Sequence, residues 1–142
     1  MKILYSGEQI YDLIPQRPPM VMVDSVLESD NETICTALTI TGDNIFVRNG
    51  QLEEAGLIEH IAQTAAALAG YETVSKHLPP QLGYIGEVKN FECSALPAVG
   101  ETVQSRLEVI AKMTGVTLVQ ATTTLHEQPI ASCQMKIFIQ ES

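Results

Sequence analysis

The sequence predicts an α+β fold in which an antiparallel sheet wraps around one long helix. A long Ala-rich segment, residues 51 to about 75, carries no charged residue between Ile61 and Tyr71, which predicts a helix that is apolar nearly all round. Segments rich in β-branched residues precede and follow it, and the last three are joined by short turns, which favour antiparallel pairing. A sheet must then cover the helix.

The remaining elements follow from local signals along the chain. The run Ser6-Gly7-Glu8-Gln9 predicts a capped short helix that reaches about Ile14, before Pro15. Residues 45–50 are predicted to form a loop, Asn49 to cap the long helix, and residues 79–80 (Pro-Pro) to end it. The predicted strands are residues 20–28, 32–41, 82–87, 88–94, 101–112, 116–127 and 130–140.

Composition limits the class of protein. A chain of 142 residues, 45% of them hydrophobic, predicts a single globular domain over residues 1–142. Its 3 Cys form no metal-binding or pairing pattern, so we expect no metal and no cofactor. A net charge of −9 with 8 scattered Lys and Arg excludes nucleic-acid binding. No apolar run approaches the length of a membrane span, so no membrane association and a cytoplasmic location are expected.

Glu59 is the residue with the strongest chemical signal, because it stands at the head of the uncharged segment GLIEHIAQTAAALAGY. At 100° per residue it lies at the edge of the apolar face, beside Gln63 and small residues. Two interpretations remain open: a half-exposed Glu favoured by the helix dipole, or a functional carboxylate in a polar notch. His60 lies about 100° away and is expected at the surface or at an interface, and His77 and His126 are expected to face solvent.

Three segments resemble a known family. The opening IPQRPPMVMVD, residues 14–24, resembles the I-P-H-R-x-P-F-L-L-V-D of the β-hydroxyacyl-[acyl-carrier-protein] dehydratases. The helix segment EHIAQ, residues 59–63, resembles their E-A-M-A-Q, and LPAVGETV, residues 96–103, resembles their Pro-Gly turn into a long strand. The matches occur in the family's order along most of the chain.

The resemblance implies a hotdog fold, a dimer with sites shared between subunits, and a place in fatty-acid or polyene-type acyl metabolism. The family eliminates water from a 3-hydroxyacyl thioester by acid–base catalysis, with backbone amides polarising the thioester carbonyl. Glu59 matches its helix carboxylate. The implied substrate is an acyl-carrier-protein or coenzyme A thioester, and an acidic carrier would need a basic patch, for which Arg17, Arg48 and Lys89 are candidates.

The chain departs from the family at its second catalytic group. The loop motif G-H-F-P is absent, Glu53-Glu54 stands in place of its Pro-Gly, and Gln16 replaces the His of the opening. Asn44 and Asn49 lie near the missing His in the chain, and His60 would act only across a dimer interface. The stretch NIFVRNGQLEEAGLIEHIAQ resembles a divergent branch that works with paralogous hotdog subunits, so a homodimer or a heterodimer is expected.

Three functions follow as hypotheses. The first is a dehydratase, a hydro-lyase with Glu59 as its acid–base residue. The second is a hotdog thioesterase in which Glu59 activates water and Asn44 or Asn49 orients it. The third is a non-catalytic subunit that binds acyl chains or completes a partner's site. The candidate catalytic residues are Glu59, His60 and Asn44, and the candidate substrate-binding residues are Gln63, Asn49, Gly50, Phe46 and Tyr84.

Overall fold

A computed structural model describes residues 3–30, 32–78 and 82–140 of the chain. Within these ranges seven strands form one antiparallel sheet in the order β1-β2-β3-β7-β8-β9-β6, and β4 and β5 form a separate hairpin. The bounds are β1 Tyr5–Ser6, a 3-10 helix Gly7–Asp12, β2 Ser25–Ser29, β3 Thr33–Thr39, β4 Val47–Arg48, β5 Gln51–Leu52, α1 Glu54–Ser75, β6 Leu82–Cys93, β7 Thr102–Met113, β8 Val116–Leu125 and β9 Gln128–Gln140.

The predicted arrangement of an antiparallel sheet around one long helix is confirmed. Helix α1 buries Leu57 and Ile61 completely. Leu107 and Val119, on the central strands β7 and β8, are equally buried and belong to the same core as Ile61. The alternating burial along β7 and β8 shows that one face of the sheet packs against the helix while the other faces solvent.

The helix begins later than its apolar pattern predicted, because residues 51–52 belong to β5. Asn49 and Gly50 have φ values of 54° and 77° and form the turn between β4 and β5, as the left-handed positions of a tight hairpin require. Asn49 is therefore not the helix cap. Glu53 takes that position, without a side-chain capping bond. The helix ends at Ser75 as expected, and Pro79-Pro80 lies outside the described residues.

The strand predicted over residues 20–28 forms only from Ser25 onward. Upstream, the N–H of Met22 donates to Gln63 Oε1 at 2.6 Å, and the Met22 carbonyl oxygen lies 2.6 Å from His60 Nδ1. Because side chains of α1 take both backbone groups of Met22, this segment cannot pair as a strand there. The two predicted strands over residues 82–94 are one strand, β6, with bulges.

The short helix near the N-terminus is of the 3-10 type, and its capping interaction is present, since the Ser6 N–H donates to Gln9 Oε1 at 3.1 Å. Its C-terminal end approaches α1 at Gly70. A Cβ added to Gly70 would collide with the carbonyl oxygen of Leu13. Backbone lies directly over this position, so glycine is required there. No helix among the described residues is long and apolar enough to cross a membrane.

We expect Gly70→Ala to destabilise the fold by about 1–3 kcal/mol, because the Leu13 backbone would have to move away from α1. Helix propensity alone predicts the opposite sign, a gain of about 1 kcal/mol. Urea unfolding of both proteins decides between them. Gly42→Ala is the control, since a Cβ there meets nothing within 4 Å. A Gly70→Ala protein as stable as wild type would show that the close approach does not exist.

Candidate functional site around Glu59

The half-buried Glu59 carboxylate is oriented by Gln63, one helical turn further along α1. Gln63 is fully buried, and its Nε2 donates to Glu59 Oε1 at 3.0 Å. The same Nε2 donates to the carbonyl oxygen of Met20 at 2.7 Å, while Gln63 Oε1 accepts the Met22 N–H. Both amide hydrogens and the amide oxygen are therefore bonded, which fixes the rotation of the side chain. Glu59 Oε2 accepts no hydrogen bond from the described residues.

His60 points in the other direction, into the space between α1 and the sheet. It is 0% exposed, so its expected position at the surface or at an interface is wrong. Its Nε2 lies 2.9 Å from Ser105 Oγ, and Ser105 Oγ lies 2.6 Å from Thr123 Oγ1. The side of β7 and β8 that faces the helix thus provides hydroxyl partners for the imidazole of His60. The spacing of apolar residues in the sequence does not reveal these partners. His77 and His126 are exposed, as expected.

The hydrogen bonds of His60 determine its tautomer. A carbonyl oxygen only accepts, so Nδ1 carries the hydrogen that is donated to Met22, and Nε2 accepts from the Ser105 hydroxyl. Burial lowers the pKa of His60 to about 4, opposed by the bond to Met22. The ring is therefore neutral at pH 7, and neither nitrogen is left to face a substrate.

Asn44 contacts Met22, as Gln63 and His60 do. Its Nδ2 is 3.3 Å from the Met22 sulfur, and its Oδ1 accepts the Phe46 N–H at 2.8 Å. The structure therefore gathers Glu59, Gln63, His60 and Asn44 around Met22. Met20 and Met22 were missed as site residues because their contribution comes from backbone groups, and their only signal was their place in the opening motif.

The other predicted binding residues make no hydrogen bond with Met22, and only Phe46 packs against the apolar cluster that contains it. Asn49 and Gly50 are exposed at the tip of the β4–β5 hairpin, where the Gly50 carbonyl oxygen accepts the Val99 N–H. Phe46 is half-buried against Gly56 and Leu52. Tyr84 lies on β6 opposite the exposed Phe138, so it is on the sheet face turned away from α1.

The three candidate carrier-docking cations differ in their surroundings. Arg17 donates to the carbonyl oxygens of Ile14 and Gln16 and stands over the Tyr11 ring, so it holds its own loop together. Lys89 is 3.7 Å from Glu87. Arg48 has no hydrogen bond or ion pair with any described residue and is exposed on the hairpin that precedes α1. In the part of the chain that the structure describes, no cluster of three His, Cys, Asp or Glu is arranged to hold a metal.

Solved structures share this architecture. A chain of the dehydratase heterocomplex ApeI:P from Xenorhabdus doucetiae superposes with a TM-score of 0.87 at 14% identity, covering 94% of this chain and 91% of that one. A hypothetical thioesterase with coenzyme A from Streptococcus pneumoniae gives a TM-score of 0.66 at 8% identity, covering 82% of this chain and 85% of that one. The predicted hotdog fold is confirmed.

The family is shown by sequence. The model of the ApeP-like family, described as ApeP dehydratase, matches residues 8–142, so the chain belongs to the ApeP-like dehydratases. A relative from Halalkalibacterium halodurans named uncharacterized thioester dehydrase BH1850 is 25% identical over 141 residues, which cover 92% of this chain and 86% of the relative. The resemblance to hotdog dehydratases is therefore confirmed.

We expect the buried neutral His60 to make the fold sensitive to acid. Its pKa is about 4 in the folded chain and 6.5 in the reference state, so the unfolded chain binds the extra proton between these values. This contribution lowers the free energy of unfolding as the pH falls from about 6.5 to 4, by up to about 3 kcal/mol.

The measurement is urea unfolding at intervals from pH 7 to pH 4.5 for wild type, His60→Gln and the exposed control His77→Gln. Carboxylates titrate in all three proteins, so the difference between the curves isolates His60. His77→Gln should follow wild type, and His60→Gln should lose much less stability with acid. Parallel curves for all three proteins would contradict the buried neutral ring.

Proposed function

We propose that the protein is a 3-hydroxyacyl thioester dehydratase in which Glu59 is the acid–base residue supplied by this chain. The supporting observation is the half-buried Glu59 carboxylate, with one oxygen held by Gln63 and the other free of hydrogen bonds from the described residues. A carboxylate fixed at one oxygen presents the second in a defined direction, as proton transfer to a bound substrate requires.

Elimination of water removes a proton from Cα and protonates the hydroxyl that leaves Cβ, so it uses a base and an acid. Glu59 supplies one proton-transfer group. His60 cannot supply the second from within the same chain, because both ring nitrogens are bonded inside the fold. Asn44 has no proton to exchange near neutral pH and is bonded to Met22 and Phe46. The second group therefore comes from another subunit in this proposal.

The free edge of β6 is the surface that this subunit would use. Strand β6 ends the sheet, and it exposes Ile85 and Val88, at 40% and 36%. Strand β6 carries Glu87, Lys89 and Glu92, and the neighbouring strand β9 carries Lys136. These two acidic and two basic residues give this edge no net charge, in a chain of net charge −9. A long edge strand with exposed apolar side chains and no net charge at its edge favours pairing with a further strand.

A paralogous hotdog subunit fits this edge better than a second copy. A second copy also lacks the second proton-transfer group, and it would double the net charge of −9. The neighbour from Xenorhabdus doucetiae is itself named a dehydratase heterocomplex, which supports a heteromeric arrangement. The thioester is carried by an acyl-carrier protein or by coenzyme A in this proposal. Of the three candidate cations, Arg48 is offered to either anion because it is exposed and has no hydrogen bond or ion pair with a described residue.

We expect Glu59→Gln to lower the hydration rate of enoyl thioesters at least about 100-fold, because the amide cannot exchange the proton. The assay uses crotonyl and longer enoyl chains on coenzyme A and on carrier protein, with the purified chain alone and co-purified with the hotdog paralogue of its own genome. Glu54→Gln is the matched control, because Glu54 is an exposed carboxylate in the first turn of the same helix.

The result also tests the partner. The proposal expects hydration with the paralogue present, little without it, and sedimentation of the two chains as one complex. Equal rates for Glu59→Gln and wild type would refute the role of Glu59. Free-thiol release without hydration, followed in the same samples, would identify a thioesterase instead. If the complex with the paralogue is active and Glu59→Gln leaves its hydration rate unchanged, this chain is a supporting subunit.

A further inference from the structure

We propose that His60 is a positioning residue that sets the orientation of Glu59 through Met22 and Gln63. The inference rests on the proposed function of Glu59 and extends it to a residue that contacts no substrate. Three consecutive hydrogen bonds carry it: His60 Nδ1 to the Met22 carbonyl oxygen at 2.6 Å, the Met22 N–H to Gln63 Oε1 at 2.6 Å, and Gln63 Nε2 to Glu59 Oε1 at 3.0 Å.

Met22 can transmit this effect because it has no strand partner to hold it. Strand β2 begins only at Ser25, so the positions of the Met22 backbone groups depend on α1. Its carbonyl oxygen and its N–H are held by two side chains three residues apart on the helix. If the bond to the carbonyl oxygen is lost, the Gln63 amide remains as the main polar anchor of this segment. Motion of the segment then reaches the Glu59 carboxylate directly.

Hydroxyl groups of the sheet determine the His60 tautomer that can donate to Met22. Thr64 donates to the His60 carbonyl oxygen and pairs with Thr36, so those two hydroxyls do not compete for the ring. Ser105 is left to donate to Nε2, and Thr123 in turn donates to Ser105. With Nε2 occupied as an acceptor, the hydrogen stays on Nδ1 and faces Met22. The ring is uncharged, so it neither attracts nor repels the Glu59 carboxylate.

The position of His60 in the sequence supports a specific role. The motif E-A-M-A-Q of the hotdog dehydratases that this chain resembles has Ala at the place of His60. The motif that this chain resembles therefore has no imidazole at this place. Burial of such a ring without both partners costs kilocalories, and the chain supplies both partners.

Two substitutions separate positioning from packing. In His60→Asn the side-chain amide can occupy the place of Nδ1 and still donate to Met22, while the bond to Ser105 is lost. In His60→Gln the amide reaches toward the place of Nε2 and Ser105, and the donor beside Met22 is lost. Both variants remove a buried ring, so both should lose stability by similar amounts.

We expect kcat for enoyl thioester hydration to fall at least about 10-fold in His60→Gln and by less than about 3-fold in His60→Asn, with KM little changed in both. A misplacement of about 1 Å is enough to slow catalysis by more than this. Ile61→Val is the control for stability alone, because Ile61 is equally buried on the same helix and its side chain makes no hydrogen bond. Equal kcat values in the Asn and Gln variants would overturn the proposal.

A second readout needs no substrate and keeps the test separate from the proposed function. The ¹⁵N–¹H signals of the Gln63 side-chain amide should stay at their wild-type positions in His60→Asn and Ile61→Val and should shift in His60→Gln. Unchanged signals in all three variants would overturn the positioning role even if the enzyme is active. If wild type is inactive on every thioester, the proposed function fails, and the Gln63 signals still decide the inference.

Where His60→Gln does not fold, Ser105→Ala tests the same idea with a smaller change. It leaves the ring in place but frees Nε2, so the hydrogen is no longer confined to Nδ1 and the Met22 bond weakens. A Gln63 signal that moves toward a second state supports the proposal, and a signal identical to wild type counts against it.

Discussion

The capture of the Met22 backbone by two side chains of α1 is the interaction on which the site depends. Met22 is fully buried, and its N–H, carbonyl oxygen and sulfur meet Gln63, His60 and Asn44 in turn. This joins three separate parts of the chain: the segment before β2, the loop before β4, and the central helix. The Glu59 carboxylate lies at the end of the same set of bonds, so its geometry depends on the packing of all three.

The interior is polar to an unusual degree along one row of the sheet. Thr36, Ser105 and Thr123 lie in register on β3, β7 and β8 and are 0% exposed. His60 and Thr64 of the helix meet this row with hydrogen bonds of 2.9 Å and 2.8 Å. Because each of these groups has a partner, the row costs little stability, and it fixes how the helix is rotated over the sheet.

The sequence predicted the fold well because its signals act over the whole chain. The uncharged helix and the strands with short turns leave few arrangements open, and the opening and EHIAQ motifs pointed to the hotdog dehydratases. Local predictions failed where tertiary contacts override propensity. Residues 20–24 have a strand composition, yet Met22 bonds to side chains of α1. Residues 51–52 continue the helical pattern, yet the turn at Asn49-Gly50 pairs them with β4.

Only part of the geometry of the candidate site could be predicted from the sequence. The edge position of Glu59 and its neighbour Gln63 follow from helical spacing alone. The role of Met22 and the burial of His60 do not, because they depend on backbone groups and on hydroxyls that lie more than 35 residues away in sequence. A polar residue among apolar ones is compatible with a surface position until its buried partners are known.

Native-state hydrogen exchange at the Met22 amide tests the central claim most directly. Met22 lies outside every strand, so an ordinary loop amide at this position would exchange close to the unprotected rate. Its capture by Gln63 predicts exchange slowed at least about 1,000-fold, comparable with amides in the middle of β7 and β8. Exchange at the rate of the exposed hairpin tip at Asn49 would contradict the account, because no fixed Met22 would then be present to hold Gln63 and orient Glu59.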